Sequence, residues 1–184
     1  MASDTPVHSP GDLPDAETLY ARLLAGVKQE FSKTPPDKTW LVGIHSGGAW
    51  LAERLQRDLG LEGKVATLNV SFYRDDFHRI GLHGNSQAQP SSINFPVAGA
   101  HVILVDDVLY TGRTIRAAMN ELFDYGRPDS IRLAVLLDRG GRELPVAACV
   151  VAADIPLPPE SAFVLSRLDN GNFSLALEKD SVHE

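Results

Sequence analysis

Residues 102–105, Val-Ile-Leu-Val, form an apolar run without alternation, and Asp106 and Asp107 follow it directly. A strand with no polar face is covered on both sides, the situation of a parallel sheet with helices packed above and below. A second run, Trp40 to Ile44, has the same character, and so do Ile131 to Leu137 and Ala147 to Ala153. Between these runs the spacing of apolar residues changes to that of amphipathic helices. Tyr20, Leu23, Leu24, Val27 and Phe31 make one stripe, with Asp12 or Asp15 as its cap and Pro35-Pro36 as its stop. Trp50, Leu51, Leu55 and Leu59 make a second, closed by Gly60, and residues from about Arg113 to Tyr125 a third, closed by Gly126. Strands that alternate with helices predict an α/β domain with a mostly parallel central sheet flanked by helices.

The ends of the chain read differently. Residues 1–14 are rich in proline and small polar residues and are expected to be a disordered leader, which leaves 15–184 as one domain. Leu68, Val70 and Phe72 alternate with polar residues as a half-buried strand, and a polar stretch follows from about Arg74 to Gly99. A loop of that length in a compact domain is usually a lid or a binding loop, so a mobile lid is expected over about 74–98. Phe163-Val164-Leu165 and Phe173 to Leu177 flank Asn170-Gly171, a hairpin signal, and predict an antiparallel addition at the sheet edge.

The chemistry is concentrated in residues 101–118, H-V-I-L-V-D-D-V-L-Y-T-G-R-T-I-R-A-A. Ligands of open α/β sheets bind beyond the carboxyl ends of the strands, where Asp106 and Asp107 stand. Thr111-Gly112-Arg113-Thr114 then opens a helix whose first N–H groups, with two hydroxyls, suit a phosphate monoester. Carboxylates beside a phosphate site would repel the ligand unless they face another part of it. They accept hydrogen bonds from a vicinal diol and attract Mg²⁺ or a developing cation. A phosphate near a diol is ribose 5-phosphate, a cation on that ribose is an oxocarbenium at C1, and pyrophosphate suits as the leaving group. The chain lacks both G-K-[ST] and G-x-G-x-x-G, which removes support for a Walker-type or a dinucleotide site.

This segment resembles the 5-phosphoribosyl-1-pyrophosphate (PRPP) signature of the type I phosphoribosyltransferases. More narrowly it is similar to the PyrR family, the pyrimidine operon regulators with uracil phosphoribosyltransferase activity. V-G-I-H-S-G-G around residue 43, F-Y-R-D-D at 72–76 and G-R-P-D-S-I-R-L-A-V-L-L-D-R-G-G-R-E-L-P at 126–145 carry the same resemblance. The resemblance implies a type I phosphoribosyltransferase-like fold with a mobile hairpin lid, and transfer of a ribose 5-phosphate from PRPP to uracil, giving UMP and pyrophosphate. By the same resemblance Asp106 and Asp107 would be catalytic, holding the ribose hydroxyls and, through water, Mg²⁺. Val108, Leu109, Tyr110, Thr111, Gly112, Arg113 and Thr114 would bind the 5-phosphate. His45, Ser46, Gly47 and Gly48 would form the pyrophosphate loop, with Tyr73 and Arg74 on the lid. Arg139 and Phe163 would line the base or nucleotide pocket. A homodimer or larger assembly is also implied.

Two segments depart from the family pattern. Ser46-Gly47-Gly48 lacks the basic residue of the usual pyrophosphate loop, so backbone donors, Mg²⁺ and Arg74 must serve the anion. Asp138-Arg139-Gly140-Gly141-Arg142 has glycine where family members that bind RNA often carry histidine. With a net charge of −7, this argues against specific recognition of a pyrimidine transcript. A UMP-sensing RNA regulator with vestigial catalysis and a phosphoribosyltransferase for another base are the competing readings. The single cysteine, Cys149, excludes a disulfide framework and is expected to be a small buried apolar residue. His78 and His83 read as solvated loop residues. No apolar run reaches the ~18 residues of a membrane span, and a reducing cytoplasm is the expected location.

Overall fold

A computed structural model describes residues 13–63, 65–70 and 90–179. Helix α1 spans Ala16–Phe31; Asp15 is its cap, and the Asp15 carboxylate accepts the Thr18 N–H at 2.9 Å. It ends ahead of the Pro35-Pro36 pair. Strand β1 is Thr39–Ile44, helix α2 Gly47–Asp58 and strand β2 Ala66–Leu68. Then come β3, His101–Leu109; α3, Arg113–Tyr125; β4, Ser130–Asp138; and β5, Val150–Asp154.

These strands make a five-stranded sheet in the order β2-β1-β3-β4-β5, and all its pairs are parallel. Alternation along β3 divides the core. Ile103 and Val105 face the side of α1 and α2, where Leu19, Leu23, Val27, Leu51 and Leu55 are fully buried. Val102 and Leu104 face the other side, with Ile115, Ala118 and Leu122 of α3. The apolar run that lacked a polar face is thus covered twice.

The remaining strands, β6 at Ser161–Arg167 and β7 at Phe173–Lys179, pair antiparallel around the Asn170-Gly171 turn. They form a two-stranded sheet of their own rather than extending the edge of the central sheet. Phe163, Leu165 and Phe173 on its buried face pack into the α1/α2 core. Burial against helices, not continuation of a ladder, fixes the hairpin.

Three other expectations are corrected. β3 does not stop at Val105; it runs on to Leu109 because its ladder with β4 continues to the Leu109–Asp138 pair. The stretch assigned to a lid is anchored at its far end: Ser92 bridges Thr67, Phe95 is buried and stacks on Trp40 at 4.7 Å, and Val97 is buried. The spacing Ile93, Phe95, Val97 carries this packing inside a stretch that reads as polar overall. The rest of the expected lid, with Tyr73, Arg74, His78 and His83, lies outside the described residues, as do positions 1–12 of the expected leader. Cys149 is exposed instead of buried: it stands one residue ahead of β5, at the rim of the sheet's edge strand, with its N–H and Sγ both on the Leu133 carbonyl. Among the described residues no helix is long and apolar enough to cross a membrane.

Candidate active site

The chain leaves β1 through α2 towards one edge of the sheet and leaves β3 through α3 towards the other. β1 and β3 are neighbours, so a crevice opens between their carboxyl ends at the point where the winding reverses. The segments that border it are His45–Gly48, after β1, and Asp106–Thr114, at the end of β3 and the start of α3. Residues singled out some sixty positions apart are therefore brought together.

On the β1 side, the expected loop is short. α2 already begins at Gly47, and its first internal bond runs from the Trp50 N–H to the Ser46 carbonyl at 3.2 Å. The N–H groups of Gly47, Gly48 and Ala49 precede that bond and are not used by the helix. The His45–Ser46 peptide is cis. The His45 imidazole is held below its ordinary range by burial, with Glu53 opposing the shift.

Three glycines press this helix end onto the sheet. A β-carbon at Gly43 would fall 2.6 Å from Ala49 Cα, one at Gly48 2.3 Å from the Val105 carbonyl oxygen, and one at Gly47 2.3 Å from Asp107 Oδ2. The Asp107 carboxylate thus lies directly against the first turn of α2, where the helix dipole favours negative charge. Gly43 was not among the expected site residues. Its signal was available, since a glycine inside an apolar strand often marks a close backbone approach.

Asp106 and Asp107 are both buried. Asp106 Oδ1 accepts the Asp107 N–H at 3.0 Å, and Asp107 Oδ1 accepts the Val108 N–H at 3.1 Å. Val108 and Leu109 continue the strand and pack into opposite core faces, so they form the stem of the Tyr110–Thr114 loop. Gly112 adopts φ +93° at the cap of α3, and a β-carbon there would also crowd Leu144 and Val146 at 3.3 Å. Thr111 is buried; its Oγ1 accepts the Arg113 N–H at 3.2 Å and its carbonyl accepts the N–H groups of Glu143 and Leu144 at 3.0 Å. The first internal bond of α3, Arg116 N–H to Gly112 carbonyl, leaves the Thr114 and Ile115 N–H groups ahead of it, beside the Thr114 hydroxyl. Arg113 pairs with Glu143 on the surface.

Arg139 is buried, with its guanidinium 3.9 Å from the Tyr110 ring centroid and Nη2 donating to the Pro158 carbonyl at 3.0 Å. It reaches the Tyr110–Thr114 loop through Tyr110. Phe163 is buried in the α1/α2 core, where it has the environment of a packing residue. Arg142, which sequence reasoning did not place in the site, donates to the Tyr110 carbonyl, the Asp138 carboxylate and the Val146 carbonyl. Asp138 and Val146 lie four residues to either side of Arg142, but Tyr110 is thirty-two residues away, and no local pattern names that partner.

Mg²⁺ keeps several waters and is usually held by one or two carboxylates together with substrate phosphates. Asp106 and Asp107 supply that hard oxygen set, and among the described residues no cluster of three or more acidic, His or Cys ligands forms a resident metal site. The residues fit an ion that arrives with a pyrophosphate-bearing substrate. Such an ion would neutralise the pyrophosphate charge.

Residues 11–162 match the family described as phosphoribosyl transferase domain. The bifunctional protein PyrR of Nitrosococcus oceani is 48% identical over 161 residues, covering 86% of this chain and 90% of that protein. This chain belongs to the PyrR family of phosphoribosyltransferases. The PyrR proteins of Ralstonia nicotianae, 48% identical over 85% of this chain and 88% of theirs, and of Pseudomonas aeruginosa, 46% identical over 91% and 95%, are further relatives. Among solved structures, a hypoxanthine-guanine phosphoribosyltransferase of Bacillus anthracis superposes with a TM-score of 0.61 at 18% identity, covering 82% of this chain and 86% of that one. At that identity the likeness shows the fold, a type I phosphoribosyltransferase.

Proposed function

We propose that this PyrR-family chain is a uracil phosphoribosyltransferase that converts uracil and PRPP to UMP and pyrophosphate. The observation that carries the reading is the buried Asp106–Asp107 pair in the crevice between two helix N-termini. Two anion-binding ends flanking two carboxylates suit a substrate with an anion at each end and a ribose between them. The first turn of α2 takes the pyrophosphate and that of α3 the 5-phosphate. The carboxylates accept the ribose hydroxyls and stabilise positive charge as it grows at C1. The C1–O bond to pyrophosphate breaks, the C1–N1 bond to uracil forms, and the N1 proton is lost. Fixed groups aimed at developing charge are commonly the largest contribution to such a rate.

Uracil is proposed from the resemblance to the PyrR family, and the nearness of Arg139 to Tyr110 supports a base-binding role for it. The proposal extends to Mg²⁺ carried by PRPP, to Tyr73 and Arg74 on the pyrophosphate side, to a homodimer or larger assembly and to a cytoplasmic location. The test is product formation with PRPP and Mg²⁺ on a panel of uracil, hypoxanthine, guanine and orotate. Uracil is expected to exceed the others by about 10²-fold or more in kcat/KM. Faster turnover of a purine base would overturn the assignment.

A further inference from the structure

We propose that the Arg139–Arg142 turn is a clamp that positions the 5-phosphate loop, with Arg142 as its positioning residue. The inference rests on the phosphate assignment made above for Tyr110–Thr114 and goes beyond it by naming what holds that loop in shape.

Tyr110 is gripped from three sides by one short segment. The Arg139 guanidinium stacks on its ring at 3.9 Å from the centroid. Gly141 lies under the ring edge, where a β-carbon would fall 2.4 Å from Tyr110 Cε2, and its φ of +72° also favours glycine. The Arg142 guanidinium takes the Tyr110 carbonyl, and the same fork donates to the Asp138 carboxylate and, through Nε, to the Val146 carbonyl at 3.0 Å. Asp138 is itself oriented, since its Oδ1 accepts the Gly140 N–H at 2.9 Å. Asp138 ends β4 opposite Leu109, the last residue of β3.

Arg142 therefore joins the end of β4 to the first residue of the loop that follows β3. The same turn continues into Glu143 and Leu144, whose N–H groups hold the Thr111 carbonyl, and into Leu144 and Val146, which crowd Gly112. Carbonyls of the loop are thereby turned towards the clamp, and the N–H groups at the start of α3 are left for an anion. The glycine at 141 has a physical reason as well: Tyr110 occupies the space that a side chain there would need.

A planar fork with several donors is required, because one ammonium cannot reach three acceptors in separate directions. This separates a clamp from simple charge attraction to a phosphate, for which lysine would serve. The test measures binding of ribose 5-phosphate and of pyrophosphate by calorimetry to the wild-type protein, Arg142→Gln, Arg142→Lys and Gly141→Ala, with thermal unfolding in parallel. Both Arg142 variants are expected to bind ribose 5-phosphate about tenfold or more weaker, since a loop displaced by a fraction of an ångström loses its aim. Pyrophosphate, assigned to the α2 end, should change by no more than about twofold on the same reasoning. Unchanged ribose 5-phosphate binding in a folded Arg142→Gln protein, equal loss for both ligands, or rescue by lysine would each overturn the clamp. Should Arg142→Gln not fold, Gly141→Ala decides from the ring side, and unchanged ribose 5-phosphate binding there overturns it. Wild-type protein that binds ribose 5-phosphate but makes no UMP would sink the proposed function and leave the clamp standing. Wild-type protein that binds no ribose 5-phosphate would remove both.

Discussion

Replacing Gly48 by alanine should separate catalysis from stability. In the structure a β-carbon at this position would fall 2.3 Å from the Val105 carbonyl oxygen and 2.9 Å from Asp106 Cα, both backbone atoms that cannot rotate away. The closest comfortable approach of carbon to a carbonyl oxygen is roughly 3.3 Å. The first turn of α2 must therefore withdraw from β3 by about 1 Å, a misplacement that can cost on the order of 10²-fold in rate. Stability should change far less. Overpacking costs about 1–3 kcal/mol, while alanine in place of glycine inside a helix returns about 1 kcal/mol. The expected result is a protein within about 2 kcal/mol of wild type by urea unfolding, with initial rates of UMP formation down about 10²-fold and a raised KM for pyrophosphate in the reverse reaction. A folded Gly48→Ala protein with a rate within about threefold of wild type would refute the close-approach argument, because the helix end would then tolerate a shift that the pyrophosphate geometry should not.

Asp106→Asn and Asp107→Asn should lower UMP formation by about 10²–10³-fold for at least one of the pair, as expected for a group facing developing charge; near-full rates for both would remove the phosphoribosyl reading. Acid stability should depend on Glu17, whose carboxyl is held below its ordinary 4.5 by the Arg54 hydrogen bonds, with burial opposing them and the Phe173 N–H adding to them. A depressed carboxyl stabilises the fold above the unfolded value and loses that contribution as pH falls through the folded one. Urea unfolding from about pH 5 to about pH 3 should therefore show a steeper loss in wild type than in Glu17→Gln, and equal slopes would refute the linkage. Pyrimidine-leader RNA should bind no more than about tenfold tighter than scrambled RNA, against ~10³ for specific nucleic-acid readers. Filter binding with UMP at physiological salt checks this, and a ratio near ~10³ would show that specific RNA recognition persists despite the net charge of −7.

Part of this protein is specified by interactions between near neighbours in the chain. The bounds of α3 follow from Gly112 and Gly126, and the double covering of β3 follows from its unbroken apolar run. The Asp106–Thr114 motif is contiguous, so a candidate site could be proposed there before any fold was known. Tertiary structure decided whatever depends on a partner distant in the chain. β3 extends past the aspartates because β4 offers backbone partners as far as Asp138, which no side-chain pattern announces. The β6–β7 hairpin packs its apolar face against helices instead of joining the sheet, since alternation specifies a face but not what will cover it. Cys149 sits in the same apolar context as its buried neighbours, and only its place ahead of an edge strand exposes it. Gly47 meets Asp107, and Arg142 meets Tyr110, across gaps of sixty and thirty-two residues. These contacts set the shape of the site, and they come into being only when the strands pair and bring the loop ends to one edge.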